Sequence, residues 1–485
     1  MKYISSTISL CPECLTPIDA VIIEENGKIM IKKECPIHGE YSELYWADQQ
    51  QYTRAEKYEK QGTRLAYPQT ETRKGCPYDC GICPEHKTST ILGIIDVTNR
   101  CNLNCPICFA HAGAAGYLYE PTKEQVKNMI NTLYSNKPAR PPAIQFSGGE
   151  PTLRDDLPEL IKTADSKGFE YIMVNTNGLR LAQDLEYCMR LKKAGANSIY
   201  LQFDGLTDDI YRKTRGANLV DVKSKAIENM RETGLSCVLV PVLVKGVNDH
   251  QVGDIIRYSA KNLDVIRGVN FQPVSITGRI NRDQRLDMRI TLPDLMRLTG
   301  EQTGGQIKPG DWFPVPTVQP LSAFLGAVYN HCFPDFAVHP HCGAATYVVF
   351  DDGKLKPITN YIKVDAFLQV LSDARADFLR GRKNKAKLDL VKGLSSNVNL
   401  KFIPDYIRLI LSSDDYLSFY KMRHENLFIG AMHFMDPYNF DVKRVQRCGI
   451  HYAVPDGRLI PFCTMNNIHR KEVEKKFAQP LNPKH

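Results

Sequence analysis

The chain has 485 residues, which is long enough for two or three domains, each with its own core. It is 43% hydrophobic and 24% charged, the composition of an ordinary globular protein, and no run approaches the roughly 20 apolar residues that a membrane span needs. The N-terminal residues lack the pattern of a signal peptide, so we expect a cytoplasmic protein that at most contacts a membrane surface as a peripheral protein.

The formal net charge of +8 is mild for this length, and part of it lies in a basic run at 380–387. A solvated loop is the simpler interpretation of this run. Contact with phosphate, on a nucleic acid or an anionic lipid headgroup, is the functional alternative.

Residues 1–90 show little periodic structure but contain six of the fifteen cysteines. Clustered cysteines in a chain without an export signal are metal ligands more often than disulfides. We therefore predict an N-terminal metal-binding region over residues 1–90, which folds around its metals because it has little apolar mass of its own.

From residue 91 onward, strand and helix patterns alternate. Thr122 opens the first helix as N-cap, with Gln125 three residues later. Strands are predicted at 91–97, 143–147, 170–175, 198–203, 236–243 and 265–273. Helices are predicted after Thr122 and at 157–167, 182–194, 222–233 and 250–262. This alternation predicts a parallel sheet of right-handed βαβ units in a domain at 91–300, followed by a less regular domain at 301–485.

The spacing C-x3-C-x2-C occurs twice. Three thiolates in a short loop can hold three irons of a [4Fe-4S] cluster and leave the fourth iron open for another ligand. The second copy directly follows the strand at 91–97, so its loop lies at the C-terminal edge of the sheet, where α/β folds place ligands. We therefore assign the open cluster to this copy, whose cysteines are Cys101, Cys105 and Cys108.

The first copy follows polar sequence with no strand before it, and we interpret it as an auxiliary [4Fe-4S] cluster. Its cysteines are Cys76, Cys80 and Cys83. No neighbouring fourth cysteine is evident. His86 is close enough to serve, but a lone histidine is more often a surface or core residue.

Polar and glycine-rich motifs follow the later strands in chain order. They are Ser147-Gly148-Gly149-Glu150, then Asn175 with Asn177, then Gln202 with Asp204, and beyond them Lys213 and Arg215. Glycines at a strand end let the backbone approach a ligand closely. A cation such as Lys213 or Arg215 can pair with a ligand carboxylate.

These motifs, with the second cysteine copy, resemble the radical SAM superfamily over about residues 91–275. The resemblance implies a partial (β/α)6 TIM-like barrel and a cluster that cleaves S-adenosylmethionine (SAM) to a 5′-deoxyadenosyl radical. It also implies that Phe109 packs near the adenine. The strand-end residues would bind the rest of SAM, and the cofactor would supply the difficult chemistry.

Two further cysteine sets are candidate metal sites. Cys11 and Cys14 with Cys35 and His38 have the spacing of a four-ligand knuckle for zinc or a single iron, and a more distant cysteine is the rival to His38. The second set has the four thiols of a fully ligated cluster, although they are widely spaced and scattered core cysteines are the alternative. The radical SAM resemblance favours a cluster there. The four cysteines are Cys332, Cys342, Cys448 and Cys463.

The C-terminal sequence resembles the archaeal tetraether lipid synthases within that superfamily. The resemblance rests on the stretches 433–439, 444–452, 455–458 and 461–463 and on the N-terminal cysteine motifs. It implies carbon–carbon coupling between isoprenoid chains of archaeal diether phospholipids, one or two auxiliary clusters, and an electron donor such as ferredoxin or flavodoxin. A lipid tunnel would need apolar residues. The candidates are Leu427–Met435 and the face of Ile403, Ile407, Ile410 and Leu411.

Two other functions stay open on the sequence. One is a radical SAM enzyme with auxiliary clusters that modifies a peptide or a small metabolite. The other is a nucleic-acid-binding protein, suggested by the knuckle and the basic run. This function is the least favoured because the N-terminal segment around the knuckle, a metal-binding ribbon, lacks interleaved aromatic and basic residues.

Overall fold

This computed structural model describes residues 1–62, 67–399 and 426–479. One predicted feature lies outside them, the apolar face of Ile403, Ile407, Ile410 and Leu411. No helix within the described part of the chain is long and apolar enough to cross a membrane. Peripheral contact with a membrane stays a prediction.

The N-terminal residues form a four-stranded antiparallel sheet, in contrast to the little periodic structure expected from the sequence. Its strands, in spatial order, are β1 (Lys2–Leu10), β2 (Pro17–Glu25), β3 (Lys28–Cys35) and β4 (Gly39–Trp46), followed by helix α1 (Gln49–Glu56). Ile22, Ile29 and Ile31 are buried and belong to the same apolar cluster as the core of the large sheet. The ribbon, residues 2–46, therefore has an apolar face of its own, which the inward-facing polar residues Thr7 and Ser9 obscure in the sequence.

The central sheet follows the predicted βαβ order. Its strands are β5 (Leu92–Thr98), β6 (Ala143–Gly148), β7 (Tyr171–Thr176), β8 (Ser198–Gln202), β9 (Ser236–Val240), β10 (Val242–Leu243) and β11 (Ile266–Pro273). Its helices are α2 (Lys123–Tyr134), α3 (Leu157–Lys167), α4 (Leu179–Gln183), α5 (Leu185–Lys193), α6 (Asp208–Arg215), α7 (Val220–Thr233) and α8 (Val252–Lys261). Thr122 and Gln125 form the predicted capping box of α2. The predicted helix at 182–194 begins earlier and divides at Asp184, which caps α5 by accepting a bond from the Tyr187 N–H.

The C-terminal part of the chain extends this sheet at both edges. Its elements are α9 (Arg285–Met288), α10 (Leu292–Gln302), β12 (Phe313–Pro314), α11 (Gln319–Tyr329), β13 (Gly343–Asp351), β14 (Lys354–Pro357), α12 (Val364–Leu379), α13 (Lys383–Asn397), β15 (Asn426–Met432), β16 (Ile450–Ala453) and β17 (Leu459–Pro461). Short helices span Val442–Val445, Phe462–Thr464 and Arg470–Lys476, with a π-helical turn at Met465–His469. β15 pairs in parallel with β11, and β16 pairs in parallel with β5. The result is the open, TIM-like partial barrel that the sequence predicts, with one added parallel strand at each edge. The division into domains at residues 90 and 300 stays a prediction.

The basic run at 380–387 spans the turn after α12 and the first residues of α13, so much of it is helical where a loop was expected. Asp377 pairs there with Arg382 at 2.5 Å and with Lys385 at 2.7 Å, and both cations are well exposed. These pairs favour the interpretation of the run as solvated surface over a phosphate site.

A buried ionic network joins the ribbon to the C-terminal segment. Arg289 donates to Asp436 at 2.6 and 3.2 Å and lies 3.4 Å from the carboxylate of Glu43 on β4. All three side chains are at most 3% exposed. Lys33 on β3 adds bonds to the carbonyls of Pro437 and Tyr438, at 2.6 and 2.9 Å. The ribbon is thus tied to residues 436–438, directly by Lys33 and indirectly by Glu43 through Arg289.

Replacing Arg289 by Met leaves the buried Asp436 without an ion-pair partner among the described residues, whereas Glu43 keeps Arg285 at 3.2 Å. We expect R289M to destabilise the protein by about 3–5 kcal/mol, because removing one partner of a buried pair leaves an uncompensated charge. The matched control is R297M, which removes an exposed pair with Glu301 on α10 and should cost less than about 1 kcal/mol. The measurement is the midpoint of thermal unfolding. Equal midpoints for the two variants would contradict the role assigned to the network.

Candidate active site and metal centres

The loop with Cys101, Cys105 and Cys108 lies between β5 and α2, at the C-terminal edge of the sheet. Arg279, just beyond β11, holds this loop. Its backbone N–H and C=O pair with those of Cys108, each bond 2.9 Å long, and its guanidinium donates to the Cys105 carbonyl at 3.0 Å. Sequence reasoning missed Arg279 because no motif marks a residue that acts through backbone contacts.

The two glycines at the end of β6 are required by the cysteine loop itself. The N–H of Gly149 donates to the Thr98 carbonyl at 2.7 Å, and a Cβ on Gly149 would lie 2.2 Å from the Arg100 carbonyl oxygen. Gly148 has φ +136°, and a Cβ there would lie 2.1 Å from the same Thr98 oxygen. The glycines therefore allow the backbone of the cysteine loop to pack closely against this turn. A bound ligand could approach the turn closely for the same reason.

Glu150 joins neighbouring strand ends. Its carboxylate accepts bonds from the Thr152 hydroxyl at 2.5 Å, the Thr176 hydroxyl at 2.7 Å and the Asn177 N–H at 2.7 Å. Burial raises the pKa of Glu150, and these hydrogen bonds oppose that shift. With its oxygens occupied in this way, Glu150 positions other residues of the site.

Amide side chains line the edge of the barrel mouth. Asn177 donates from Nδ2 to Asn102, a residue of the cysteine loop, at 2.7 Å. Asn175 donates to the Ser147 hydroxyl at 3.1 Å. Gln202 accepts a bond from Lys223, a residue on α7 that sequence reasoning did not single out. The sequence does contain a signal that could have identified Lys223, because a lysine there lies on the apolar, sheet-facing side of an amphipathic helix.

Arg215 and Asp204 form a buried, two-bond ion pair. Arg215 donates to the Asp204 carboxylate at 2.6 and 2.9 Å and to the Ile107 carbonyl at 3.2 Å. Burial raises the pKa of Asp204, but the charge and hydrogen bonds of Arg215 outweigh it and hold that pKa below its ordinary value. Burial likewise raises the pKa of the Cys105 thiol, and Arg215 opposes the shift. The guanidinium therefore favours the charged form of both groups, although burial still holds the pKa of Cys105 above its ordinary value.

A cavity of about 630 Å³ fills the barrel lumen and opens at this edge. Its wall contains the cysteines of the second copy and every predicted SAM-binding residue except Asp204 and Lys213. Those lining residues are Phe109, Ser147, Gly148, Gly149, Glu150, Asn175, Asn177, Gln202 and Arg215. The exposed Lys213 is not among them. The volume lies within the range of roughly 300–1,000 Å³ found for small-molecule sites.

The first cysteine copy lies in a separate loop whose backbone is tied by Asp79. That carboxylate accepts bonds from three successive N–H groups, at 2.5–2.7 Å, just before Cys76. Cys76 and Cys80 pack in the same apolar cluster as Cys448 and Cys463. His86 is buried, and its Nε2 lies 2.9 Å from the Cys448 carbonyl oxygen. Burial lowers the pKa of His86 to about 4, so its ring is neutral at pH 7.

Three of the four C-terminal cysteines line the same cavity. They are Cys342, Cys448 and Cys463. Arg444, 1% exposed, lies 3.4 Å from the Cys342 sulfur, and its Nη1 has no hydrogen-bond partner among the residues that the structure describes. A buried guanidinium of this kind needs an anion beside it. Cys332 is the exception of the four, because it is exposed and absent from the cavity wall.

The ribbon brings together the four predicted knuckle ligands. The sulfurs of Cys11, Cys14 and Cys35 and a ring nitrogen of His38 all lie within 4.8 Å of one another. Hydrogen bonds from Thr16 lower the pKa of Cys14 to about 6, and a bond to Cys35 raises the pKa of His38. Three sulfurs and one nitrogen at this spacing fit a tetrahedral metal ion.

An open parallel barrel with a three-cysteine loop at its mouth and a Gly-Gly-Glu turn beside it defines a radical SAM enzyme. The model of the "Radical SAM superfamily" matches residues 95–259, and that of the "HMPTM N-terminal zinc ribbon domain" matches residues 3–47. Among solved structures, Streptococcus suis SuiB bound to S-adenosylmethionine aligns with a TM-score of 0.36 and 18% identity, covering 44% of each chain.

Comparison with curated proteins narrows this class. A "7,8-dihydro-6-hydroxymethylpterin dimethyltransferase" from Methanocaldococcus jannaschii is 50% identical over 98% of this chain and 96% of its own length. A "probable GTP 3′,8-cyclase" from Methanococcus aeolicus is 33% identical over 37% of this chain and 59% of its own. The chain belongs to the same family as the Methanocaldococcus jannaschii protein.

The predicted function in tetraether lipid synthesis, with a diether phospholipid as substrate, is wrong on this comparison. The relative of nearly full length is described as a pterin dimethyltransferase. Residues from three of the C-terminal stretches behind that prediction line the cavity around Cys448 and Cys463, so the resemblance reflects a cysteine-lined site rather than a particular substrate. Leu427–Met435, the predicted lipid-tunnel segment, is mostly strand β15. Leu427, Ile429 and Ala431 belong to the core, whereas Phe428 and Met432 line the cavity.

Replacing Cys35 by Ser should remove the ribbon metal and leave the cluster iron in place, since the two sites share no ligand. The matched control is C188S, which changes a fully buried thiol on α5 away from the cavity and should keep all metal. The measurement is zinc, iron and sulfide content per chain of purified protein. Unchanged total metal in C35S, or an equal loss in C188S, would contradict the assignment.

Proposed function

We propose that this protein is a radical SAM methyltransferase that methylates a reduced pterin. The observation that carries the proposal is the 50% identity, over 98% of this chain, with the relative described as a 7,8-dihydro-6-hydroxymethylpterin dimethyltransferase. This is the small-metabolite alternative of the sequence analysis. A nucleic-acid partner is not part of the proposal.

The polar lining of the barrel lumen supports a heterocyclic substrate. Side chains two residues apart along the strands face the cavity, and several carry amides or a hydroxyl. They are Gln145, Asn175, Tyr200, Asn270 and Gln272. Amides present donors and acceptors side by side, as do the edges of a pterin ring. The Nε2 of Gln145 is buried and has no hydrogen-bond partner within the described residues, so it is free to donate to an acceptor atom of a bound substrate.

An aromatic group in the cavity wall supports the binding of flat rings. The Phe434 and Phe462 rings stack with centroids 3.9 Å apart, and Phe109 lies 5.6 Å from Phe462. Such faces accept adenine or pterin by offset stacking. Phe109, directly after Cys108, is the residue placed to meet the adenine of SAM.

We assign the SAM-cleaving [4Fe-4S] cluster to Cys101, Cys105 and Cys108. The three thiols, the nearby Arg215 cation and the backbone-tied loop fit a cluster with one open iron. Bound SAM, cleaved by the reduced cluster, supplies a radical able to remove hydrogen from a carbon. The chain's own part is to orient SAM through the strand-end amides, to hold the substrate in the lumen and to exclude water. Ferredoxin or flavodoxin is the proposed source of electrons.

We assign auxiliary clusters to two further cysteine sets. Cys76, Cys80 and Cys83 form one, and Cys342, Cys448 and Cys463 form the other. The second set fits an anionic cluster because the buried cation of Arg444 lies beside it, with an Nη1 that has no hydrogen-bond partner among the described residues. The ribbon ligands Cys11, Cys14, Cys35 and His38 are assigned to zinc or a single iron.

Variants of Cys463 and Cys332 distinguish the three-cysteine cluster assigned here from the four-cysteine cluster that the sequence predicts. We expect C463S to lose the iron of one cluster, about four atoms per chain, because it removes a buried ligand. C332S should retain full iron content, because Cys332 is exposed and off the cavity wall. The measurement is iron and sulfide per chain with Mössbauer spectra. Equal iron loss in both variants would restore Cys332 as a ligand.

The methylation proposal is tested with reconstituted protein, SAM as radical source, a reductant and 7,8-dihydro-6-hydroxymethylpterin. The transferred carbon comes from a one-carbon donor, supplied in parallel reactions as a second molecule of SAM or as a methylene-carrying reduced pterin. We expect mass spectrometry to show pterin products heavier by one and then two methylene units, together with 5′-deoxyadenosine. The control is C105A, which should yield neither product because it lacks a ligand of the SAM cluster. SAM cleavage by the unaltered protein without any methylated pterin would contradict the proposed substrate.

A further inference from the structure

Lys223 is a buried lysine without a direct carboxylate partner in the described structure. It lies on α7, is 1% exposed, and donates from Nζ to the Asn177 carbonyl at 2.5 Å and to the Gln202 side-chain oxygen at 2.8 Å. Both acceptors are neutral. A lysine held in this way loses its hydration without gaining an adjacent counter-ion, which is a costly arrangement for a purely structural residue.

The bond from Lys223 determines which way the Gln202 amide faces. Nζ donates to the amide oxygen of Gln202, so the Gln202 NH2 group faces away from Lys223. Gln202 lines the cavity, and its Nε2 is buried with no hydrogen-bond partner in the parts of the chain that the structure describes. The site therefore presents a fixed donor that lacks an acceptor.

The same ammonium group also holds the end of the neighbouring strand. Asn177, whose carbonyl accepts from Lys223, donates its side-chain NH2 to Asn102 in the cysteine loop. Lys223 thereby joins the end of β7, the end of β8 and, through Asn177, the loop of the SAM cluster. Burial lowers the pKa of Lys223 to about 7, against the opposing charges of Asp204 and Glu150.

We propose that Lys223 is a positioning residue that orients the Gln202 amide so that its nitrogen donates to an acceptor oxygen of bound SAM. The proposal rests on the radical SAM assignment and is independent of the pterin substrate. Lys223 itself is not among the residues that line the cavity. In this proposal its effect on SAM binding passes through Gln202, whose donor, unpaired within the described residues, lines the cavity. A separate effect through the Asn177 carbonyl would appear as a further loss of affinity when both Lys223 and Gln202 are replaced.

The test is the dissociation constant for SAM, measured by equilibrium dialysis on reconstituted protein. We expect K223M and Q202L each to weaken SAM binding about tenfold, the effect of losing one well-formed hydrogen bond to a buried site. In the Q202L background, K223M should add less than about a twofold change, because interacting residues are non-additive. The matched control K225M changes an exposed lysine on the same helix and should bind SAM normally.

A second variant decides the matter if K223M fails to fold. Q202E keeps an acceptor for Lys223, and gains an ion pair with it, but lacks the NH2 donor. We expect Q202E to retain full iron content and the normal thermal midpoint while weakening SAM binding. Unchanged SAM affinity in Q202E, or independent multiplicative losses in the double variant, would overturn the proposal. A failure of pterin methylation alone would leave these affinities as expected.

Discussion

The mouth of the barrel depends on one buried carboxylate, that of Glu150. It is 1% exposed and accepts bonds from the turn that follows it and from the end of β7, while its own N–H donates to the Arg100 carbonyl in the cysteine loop. Three segments distant in sequence are therefore held at one point. Removing the carboxylate would leave several buried donors without a partner, and each such donor costs about 1–3 kcal/mol.

Two buried cations near the barrel mouth, Arg215 and Lys223, differ in their partners. Arg215 meets Asp204 in a two-bond pair, whereas the hydrogen bonds of Lys223 within the described ranges go to neutral carbonyl and amide oxygens. Coulomb attraction to Asp204 offsets much of the free-energy cost of burying the Arg215 guanidinium. The lysine has no such carboxylate beside it in the described residues, so much less of its desolvation cost is offset. The difference indicates that Arg215 and Asp204 secure the loop region, while Lys223 serves the orientation of the amides around the cavity.

The central sheet was predictable because its signals are local. Apolar runs, the Thr122 capping box and glycines such as Gly168 and Gly234 after helices place β5 to β11 within a few residues of their observed bounds. The strand-end polar residues were predictable for the same reason, since the ends of parallel strands meet at one edge. Lys223, Arg279 and Arg444 were not, because each acts through contacts with residues far away in the chain. The ribbon strands escaped because Ser9 and Thr7 face inward among its apolar positions.

The added edge strands explain how the C-terminal cysteines reach the site. β15 lies at one edge of the central strands and β16 at the other, and residues 433–449 connect them. Cys342 precedes β13, next to β15, whereas Cys448 and Cys463 flank β16 and β17. An open barrel has no hydrogen bonds across its gap, so its two edges need another connection. A cluster held by these three thiols would join both edges, with Arg444 on the connecting segment balancing its charge. The same metal would then serve the shape of the barrel and the chemistry of the cavity.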